Sequence, residues 1–362
     1  SSDQLQNVAA SVTQSGLSSF FGNKSQPMSA DTHITKRKDF LPITEELEIY
    51  LDQFGRRFSL PATYQDLRNF TESYPLDDKE GNPTHWSSVL YPREVQKDLY
   101  PRLTSIYSLL RTGDLQAVPH LFVERVDYCE FGNSRPFRVR VVNQYNDNYD
   151  HFYVKTADAS RVYGLELEHL LSPNRINYLA HSGTLVEEHI AGVPGDVFIR
   201  DHLERPDVNK VRIAKEFVKF SERCFIRLLG DMRSYNYVID ITPDFEDVQY
   251  RVRAIDFDQQ SYEGRRSLYL PQFFKENNPV VWLCSKCLNL PTMKQYQEEE
   301  RSLIARRYIS EHQRITTLLT CMKASPREPI EKVRQLASEL AEYHHSDVFD
   351  SCESMGAIVE RN

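Results

Sequence analysis

Two short segments between residues 229 and 258 place carboxylate and amide side chains beside apolar runs. The first, Leu229-Gly230-Asp231-Met232-Arg233-Ser234-Tyr235-Asn236, follows a helical pattern, and the second, Ile255-Asp256-Phe257-Asp258, closes a strand-like run. Such oxygen atoms are the ligands that Mg²⁺ prefers, and a carboxylate can also accept a proton from a hydroxyl. Because Asp256 stands inside an apolar run, an unpaired charge there is costly unless it binds a metal or another cation. These segments are the first candidates for chemistry.

A helix and a hairpin must position these residues. Residues 211–229 carry apolar side chains at helical spacing, and the strand-like runs 235–241 and 248–257 are separated by turn formers. Because the two strands of a hairpin lie side by side, Asn236 and Asp256 are expected at the same end of it.

A block of strands precedes this region. Runs rich in Val, Phe and Tyr predict an antiparallel meander, a helix that Ser172-Pro173 stops, and two more strands joined at Ser182-Gly183. The predicted elements are strands at 120–128, 137–145 and 151–157, a helix at 159–171, and two strands within 176–190. Lys155 stands in the third strand of this block.

Together these motifs resemble the protein-kinase-like superfamily, including its aminoglycoside- and choline-kinase-like branches. The resemblance covers about residues 119–260. It implies that Asp231 is the catalytic Asp, that Asn236 and Asp256 bind the metal, and that Arg233 steadies either the γ-phosphate or Asp231. Asp258 is either a second metal ligand or an ordinary loop acid.

The same resemblance assigns residues to the nucleotide. Lys155 falls at the phosphate-binding Lys, and Glu166 in the following helix falls at its ion-pair partner, with Glu168 as the rival choice. Residues 186–192 resemble the hinge, where the backbone of Glu188 and Ile190 would contact adenine. The implied cofactors are ATP and Mg²⁺, held between two lobes.

The sequence also departs from the family pattern. Leu229 replaces the usual His of the catalytic loop, and Asp258 replaces the Gly of the metal motif. A Gly-rich phosphate loop is missing between the first strands, where only Gly132 occurs, and no Ala-Pro-Glu segment follows Asp256. The first two departures, at Leu229 and Asp258, are typical of small-molecule and atypical kinases. The missing Gly-rich loop leaves open a pseudokinase that serves as a nucleotide-binding or interaction scaffold. A second alternative keeps the same site residues but transfers AMP instead of phosphate.

Composition excludes several other classes. The 362 residues carry a formal net charge of −8, which argues against a dedicated nucleic-acid-binding protein. The sequence has no apolar run long enough to span a membrane, and its start does not resemble a secretory signal. Six scattered cysteines favour a reducing, cytoplasmic location, with a secreted effector as the alternative. The lone Cys284-Ser285-Lys286-Cys287 lacks two further nearby zinc ligands, so we interpret it as ordinary thiols.

The sequence therefore predicts an α+β, bilobal, protein-kinase-like fold. Helical patterns at 43–54, 95–113, 296–322 and 329–344 and an irregular connection at 69–86 complete the prediction. The expected divisions are a polar tail at 1–36, an N-terminal helical extension at 37–118, a small antiparallel β lobe at 119–190 and a larger, mostly helical lobe at 191–362. The expected activity is ATP- and Mg²⁺-dependent phosphotransfer to a hydroxyl group of a protein or a small molecule.

Overall fold

A computed structural model describes residues 38–115, 118–131, 133–245, 248–324 and 328–362. The predicted polar tail and Gly132 lie outside these residues. The fold class is α+β. The chain divides into two compact units. The sheet unit contains the described residues up to Glu166 together with Arg175–His189, and the helical unit contains Leu167–Asn174 and the described residues from Ile190 onward.

Ten helices and ten strands are labelled in chain order over the described ranges. The helices are α1 Glu45–Gln53, α2 Tyr64–Leu67, α3 Arg93–Thr112, α4 Ala159–Leu171, α5 Lys210–Arg227, α6 Asn278–Cys287, α7 Leu290–Ser310, α8 His312–Ala324, α9 Ile330–His344 and α10 Met355–Arg361. The strands are β1 Glu72–Asp77, β2 Pro83–Leu90, β3 Leu121–Cys129, β4 Phe137–Asn143, β5 Tyr149–Thr156, β6 Tyr178–His181, β7 Thr184–Glu188, β8 Val193–Pro194, β9 Tyr237–Pro243 and β10 Val248–Ala254. Shorter helical segments are Gly195–Val197 with the π-helical turn Phe198–His202, and the 3₁₀ turns Ser234–Asn236, Arg266–Tyr269, Pro271–Phe273, Lys275–Asn277 and Asp347–Phe349.

The sheet unit is built on seven antiparallel strands in the order β1-β2-β3-β4-β5-β7-β6. One face of this sheet carries a row of fully buried residues, Val126, Val139 and Phe152, which lie opposite one another on β3, β4 and β5. Helix α3 contributes to the same core through Leu103 and Ile106, which follow its helical apolar spacing. The buried apolar row and the amphipathic helix together explain why this sheet folds with one face covered.

Most of the predicted elements of this unit are confirmed. Helix α4 has the predicted bounds, and helix α3 ends at Gly113, whose φ of 77° suits a left-handed C-cap. Strands β6 and β7 are joined at Ser182 and Gly183, both of which have positive φ, as a tight hairpin turn requires.

The irregular connection predicted at 69–86 was wrong. Strands β1 and β2 form a hairpin there, and β2 pairs with β3, so the segment 37–118 adds two strands to the sheet. The turn is stabilised by Asp78, whose carboxylate accepts the backbone N–H groups of Glu80 and Asn82 at 2.9 and 2.8 Å. Most residues of β1 and half of those of β2 are exposed, so these strands lack the alternation of apolar residues that marks a half-buried strand.

The helical unit packs α5 against α6, α7 and β10, and its small sheet has the order β10-β9-β8. The long helix predicted at 296–322 is broken at Glu311 into α7 and α8, whereas the helix predicted at 329–344 is confirmed as α9. Helix α6 was not predicted. Within the described ranges, none of the helices has the length and apolar character needed to cross a membrane.

Candidate active site

The loop that carries Asp231 begins where helix α5 ends. Leu228 caps this helix with a φ of 54°, and Asp231 itself has a φ of 59°. Non-glycine residues seldom adopt this region, and such strained positions concentrate at functional sites. Backbone hydrogen bonds hold the loop: the N–H of Gly230 donates to the Gln259 carbonyl at 3.0 Å, and that of Asp231 donates to the Leu268 carbonyl at 3.1 Å. The surrounding chain therefore fixes an unfavourable backbone conformation at Asp231.

The Asp231 carboxylate is held by two of the predicted site residues. Arg233 donates from Nε to its Oδ1 at 2.8 Å and from Nη1 to Glu276 Oε1 at 2.8 Å. Asn236 donates from Nδ2 to the Asp231 carbonyl at 2.7 Å and to its Oδ2 at 3.3 Å. Because Nδ2 points at Asp231, the amide oxygen of Asn236 points the other way. The structure thus brings Asp231, Arg233 and Asn236 together, with Arg233 bound to Asp231.

The predicted hairpin places Asn236 and Asp256 at the same end. Asn236 precedes β9, and the N–H of Ile255, just after β10, donates to its carbonyl at 3.0 Å. Asp256 follows directly, and its Oδ1 accepts the backbone N–H of Asp258 at 3.0 Å. Asp256 and Asp258 are half-buried. The backbone N–H of Asp258 therefore orients the carboxylate of Asp256.

Burial and neighbouring charges shift the acidity of Asp231. Burial raises its pKa to about 6, Arg233 opposes this increase, and the charges of Asp256 and Glu276 add to it. The charge of Asp256 is therefore close enough to affect Asp231. An aspartate with this pKa is poised to exchange a proton near neutral pH.

The donors at this hairpin end fit a magnesium ion, which takes one or two carboxylates and completes its shell with water and phosphate oxygens. The carboxylate of Asp256 and the amide oxygen of Asn236 are such donors. Among the described residues no group of three or more His, Cys, Asp and Glu side chains lies close enough to hold a metal by itself. This finding also covers Cys284 and Cys287, which are free thiols.

Gly195 packs directly beneath the turn that presents Asn236. A Cβ atom at this position would overlap the Tyr237 ring and the Ser234 carbonyl. We expect Gly195→Ala to lower the free energy of unfolding by about 1–3 kcal/mol, since neither neighbour can move without displacing the turn. Urea denaturation measures this change. Gly81→Ala is the control: its φ is 83° but no atom lies within 4 Å of the added Cβ, so only the backbone penalty of about 1 kcal/mol should appear. Equal losses in the two variants would contradict the packing argument.

The sheet unit holds Lys155 in a buried ionic cluster. Its Nζ donates to Glu187 Oε2 on the adjacent strand β7 at 2.9 Å. Arg161 of helix α4 binds the same carboxylate through Nε and, at 2.8 Å, through Nη2. Burial raises the pKa of Glu187, but the charges of Arg161 and Lys155 outweigh this effect and lower the pKa to about 2. Lys155 thus has a carboxylate partner that the sequence did not indicate.

Glu166, the predicted partner of Lys155, is bound by residues of the N-terminal part of the sheet unit and by Tyr178 of β6. Its fully buried carboxylate accepts hydrogen bonds from Tyr50 at 2.8 Å, Tyr178 at 2.6 Å and Arg56 at 3.3 Å. Burial and the Glu166 charge raise the pKa of Tyr178 well above its usual value, so its hydroxyl stays a donor. These contacts indicate a structural role for Glu166, and its pairing with Lys155 stays a prediction.

This role predicts a loss of stability on neutralising Glu166. Glu166→Gln should lower the free energy of unfolding by about 2 kcal/mol or more, because a buried Arg56 loses its anionic partner. The midpoint and slope of urea denaturation give the value. Glu48→Gln on α1 is a matched control, since its contact with Arg57 is exposed and 3.8 Å long, and it should change stability by less than about 0.5 kcal/mol. A Glu166→Gln variant as stable as the parent would refute the structural role.

Glu168, the rival candidate, belongs to a buried network in the helical unit. Its carboxylate pairs with Arg227 and accepts hydrogen bonds from Ser172 at 2.7 Å and Asn174 at 3.1 Å. Although burial raises its pKa, Arg227 lowers the pKa of Glu168 below its usual value. Glu168 therefore has a set of partners of its own.

The two predicted hinge residues belong to different units, Glu188 to the sheet unit and Ile190 to the helical unit. Glu188 ends β7, and its backbone N–H donates to the Asn177 carbonyl at 3.1 Å, while its carboxylate accepts the Asn177 N–H at 2.8 Å. An adenine ring could therefore not use the Glu188 N–H without displacing Asn177. Ile190 belongs to the helical unit and is half-buried.

Sequence reasoning missed Glu187, Arg161 and Glu276. Glu187 lies two residues beyond Leu185, the residue opposite Lys155, but this follows from the register of β5 and β7, which the sequence does not give by itself. No protein-family model matches this chain, and no curated protein matches it either. The resemblance to protein-kinase-like proteins stays a prediction that rests on the residues described above.

Proposed function

We propose that this protein is an ATP- and Mg²⁺-dependent phosphotransferase that acts on a hydroxyl group of a protein or a small molecule. The observation that carries the proposal is the arrangement in the helical unit. Asp231 is held by Arg233 and by Asn236, and Asp256 stands beside them at the end of the same hairpin. Phosphoryl transfer needs little covalent chemistry from a protein, and positioned charges of this kind are its main requirement.

Each of these residues has a role in the proposal. Asp231 accepts the proton of the acceptor hydroxyl and orients it, and its pKa of about 6 keeps it ionised at neutral pH. Arg233 keeps the carboxylate in place. Asp256 and the amide oxygen of Asn236 would hold Mg²⁺, which when bound neutralises charge on the phosphate oxygens. The Asp258 backbone keeps Asp256 oriented.

The bilobal, protein-kinase-like fold belongs to the same proposal. Two features of the individual units support it. Lys155 stands on the third strand of the order β3-β4-β5-β7-β6, with helix α4 between β5 and β6 in sequence. In the helical unit, the loop with Asp231 follows the long helix α5 and leads into the hairpin that ends at Asp256. Lys155 remains our candidate for the lysine that binds the nucleotide phosphates, and the cytoplasm remains the expected location.

The test uses the full chain with ATP labelled at either the γ- or the α-phosphate. Transfer of γ-label to the protein itself or to an added hydroxyl acceptor supports the proposal if EDTA abolishes it and Asp231→Asn lowers its rate by about 10²-fold or more. Transfer of α-label would instead identify an AMP transferase. Nucleotide binding measured by calorimetry, with neither label transferred to proteins or small-molecule alcohols, would favour the pseudokinase scaffold.

A further inference from the structure

A carboxylate that contacts Lys155 comes from the adjacent strand of the sheet. Lys155 lies opposite Leu185 in the pairing of β5 with β7, so Glu187 is its diagonal neighbour on the same face of the sheet. Side chains at such positions are within reach of one another when they are long. The ammonium group of Lys155 accordingly donates to Glu187 Oε2 at 2.9 Å.

Helix α4 contributes a cation to this cluster. The guanidinium of Arg161 binds both carboxylate oxygens of Glu187, through Nε to Oε1 and through Nη2 to Oε2. A two-point contact of this kind fixes the plane of a carboxylate as well as its position. The side chain of Arg161 is 2% exposed and that of Glu187 is 7% exposed, so little water competes with the contact.

We propose that Glu187 is the positioning residue of Lys155 and that Arg161 positions it in turn. Arg161 on helix α4 holds the carboxylate of Glu187 on β7, and this carboxylate holds the ammonium group of Lys155 on β5. This inference rests on the proposed function in one respect, namely that Lys155 binds the phosphates of the nucleotide. The low pKa of Glu187, about 2, keeps its carboxylate ionised throughout the range in which such an enzyme works.

The contacts of Glu166 indicate a role that differs from that of Glu187. Two tyrosine hydroxyls and Arg56 engage its carboxylate, which ties helix α4 to the N-terminal part of the sheet unit. The two buried glutamates of the sheet unit can therefore be distinguished by experiment. Neutralising Glu187 should change the surroundings of the Lys155 ammonium group far more than neutralising Glu166.

The first measurement needs no nucleotide and no activity. Lysines labelled with ¹³C at Cε are titrated by NMR in the full chain, and the Lys155 signal is assigned by its loss in Lys155→Met. In Glu187→Gln, Lys155 keeps Arg161 as a neighbour but loses the carboxylate, so its titration midpoint should fall by about one pH unit or more. A midpoint that moves in Glu166→Gln and stays in place in Glu187→Gln would overturn the proposal.

The second measurement follows nucleotide turnover. Glu187→Gln should raise the KM for ATP by about tenfold or more and lower kcat as well, because Lys155 is misplaced in both the bound and the reacting complex. Glu124→Gln on β3, whose side chain is 47% exposed, is the control and should retain the parent values. If the parent neither binds nor turns over ATP, the proposed function fails, whereas the NMR titration still decides the role of Glu187.

A variant that preserves charge covers the case in which Glu187→Gln does not fold. Arg161→Lys keeps the cation but cannot bind both oxygens of Glu187. We expect it to fold, to move the Lys155 signal from its parent position and to raise the KM for ATP. An unchanged Lys155 signal together with an unchanged KM would show that Arg161 does not position the pair.

Discussion

Replacing Asp231 with Asn is expected to lower kcat by about 10²-fold or more and to leave the affinity for Mg²⁺-ATP nearly unchanged. The amide cannot accept the hydroxyl proton, whereas Asn236 and Asp256, the residues proposed to hold the metal, keep their own groups. Asn can still accept a hydrogen bond from Arg233, so the loop should retain its conformation. Steady-state kinetics and calorimetry of the parent and the variant measure the two quantities. Turnover at the parent rate in Asp231→Asn would show that this aspartate is not catalytic.

The parent should also show an acidic limb in its pH profile that is set by Asp231. Because the pKa of Asp231 in the free protein is about 6, kcat/KM should fall about tenfold for each unit of pH below that value as the carboxylate becomes protonated. Two neighbouring substitutions should move this limb in opposite directions. Arg233→Gln removes the charge that lowers the pKa and should shift the limb to higher pH, whereas Glu276→Gln should shift it to lower pH. A limb that moves with neither variant would not belong to Asp231.

Because its pKa is raised, Asp231 lowers the free energy of unfolding as pH rises, whereas most carboxylates in folded proteins have a lowered pKa and increase it. The folded state favours protonated Asp231, so the stabilisation associated with this group is present below pH 4 and is lost as pH rises through about 6. At pH 8 Asp231→Asn should therefore be more stable than the parent by about 3 kcal/mol, and the difference should nearly vanish at pH 4. Urea denaturation at both values provides the check. A variant that is less stable at pH 8 would mean that the ion pair with Arg233 outweighs desolvation.

Local sequence patterns were sufficient to predict the helices and strands whose apolar residues recur at helical or at strand spacing. Strands β3 to β7, helices α3 and α4, and the hairpin of β9 and β10 all have a buried face, and the sequence shows it directly. The hairpin of β1 and β2 has no such face, because most of its residues are exposed. Its position in the sheet depends on pairing with β3, a contact between segments more than thirty residues apart that local patterning does not encode.

The candidate site residues that are close together in sequence could also be predicted, whereas their partners from distant segments could not. Asp231, Asn236 and Asp256 were predicted together because they flank one hairpin and the helix before it. The partners of Glu166 could not be predicted, since Tyr50 and Arg56 lie 116 and 110 residues away in sequence. A helix pattern shows which residues share a face, but it does not show which distant tyrosine or arginine meets that face. The choice of Glu166 as the partner of Lys155 therefore had no support beyond the resemblance.

Replacing Asp256 with Ala is expected to abolish the dependence of nucleotide binding on Mg²⁺. The carboxylate stands at the end of β10 beside Asn236, and Asp258 orients it through a backbone N–H. Calorimetric titration of ATP with and without MgCl₂ gives the two affinities. The parent should bind more tightly with Mg²⁺, whereas Asp256→Ala should bind equally in both conditions and no more tightly than the metal-free parent. Asp240→Ala on the neighbouring strand β9 is the matched control and should keep the parent response.

Two further comparisons make the Asp256 assignment specific. Asp258→Asn keeps the backbone N–H that orients Asp256, so any loss of Mg²⁺ dependence in it would show that the Asp258 carboxylate is itself a ligand. Asp256→Asn should also move the acidic limb of kcat/KM to lower pH in whatever turnover remains, because the charge of Asp256 contributes to the raised pKa of Asp231 in the free protein. An Asp256→Ala variant that binds Mg²⁺-ATP as tightly as the parent would remove the metal assignment, and with it the main support for phosphotransfer at this hairpin.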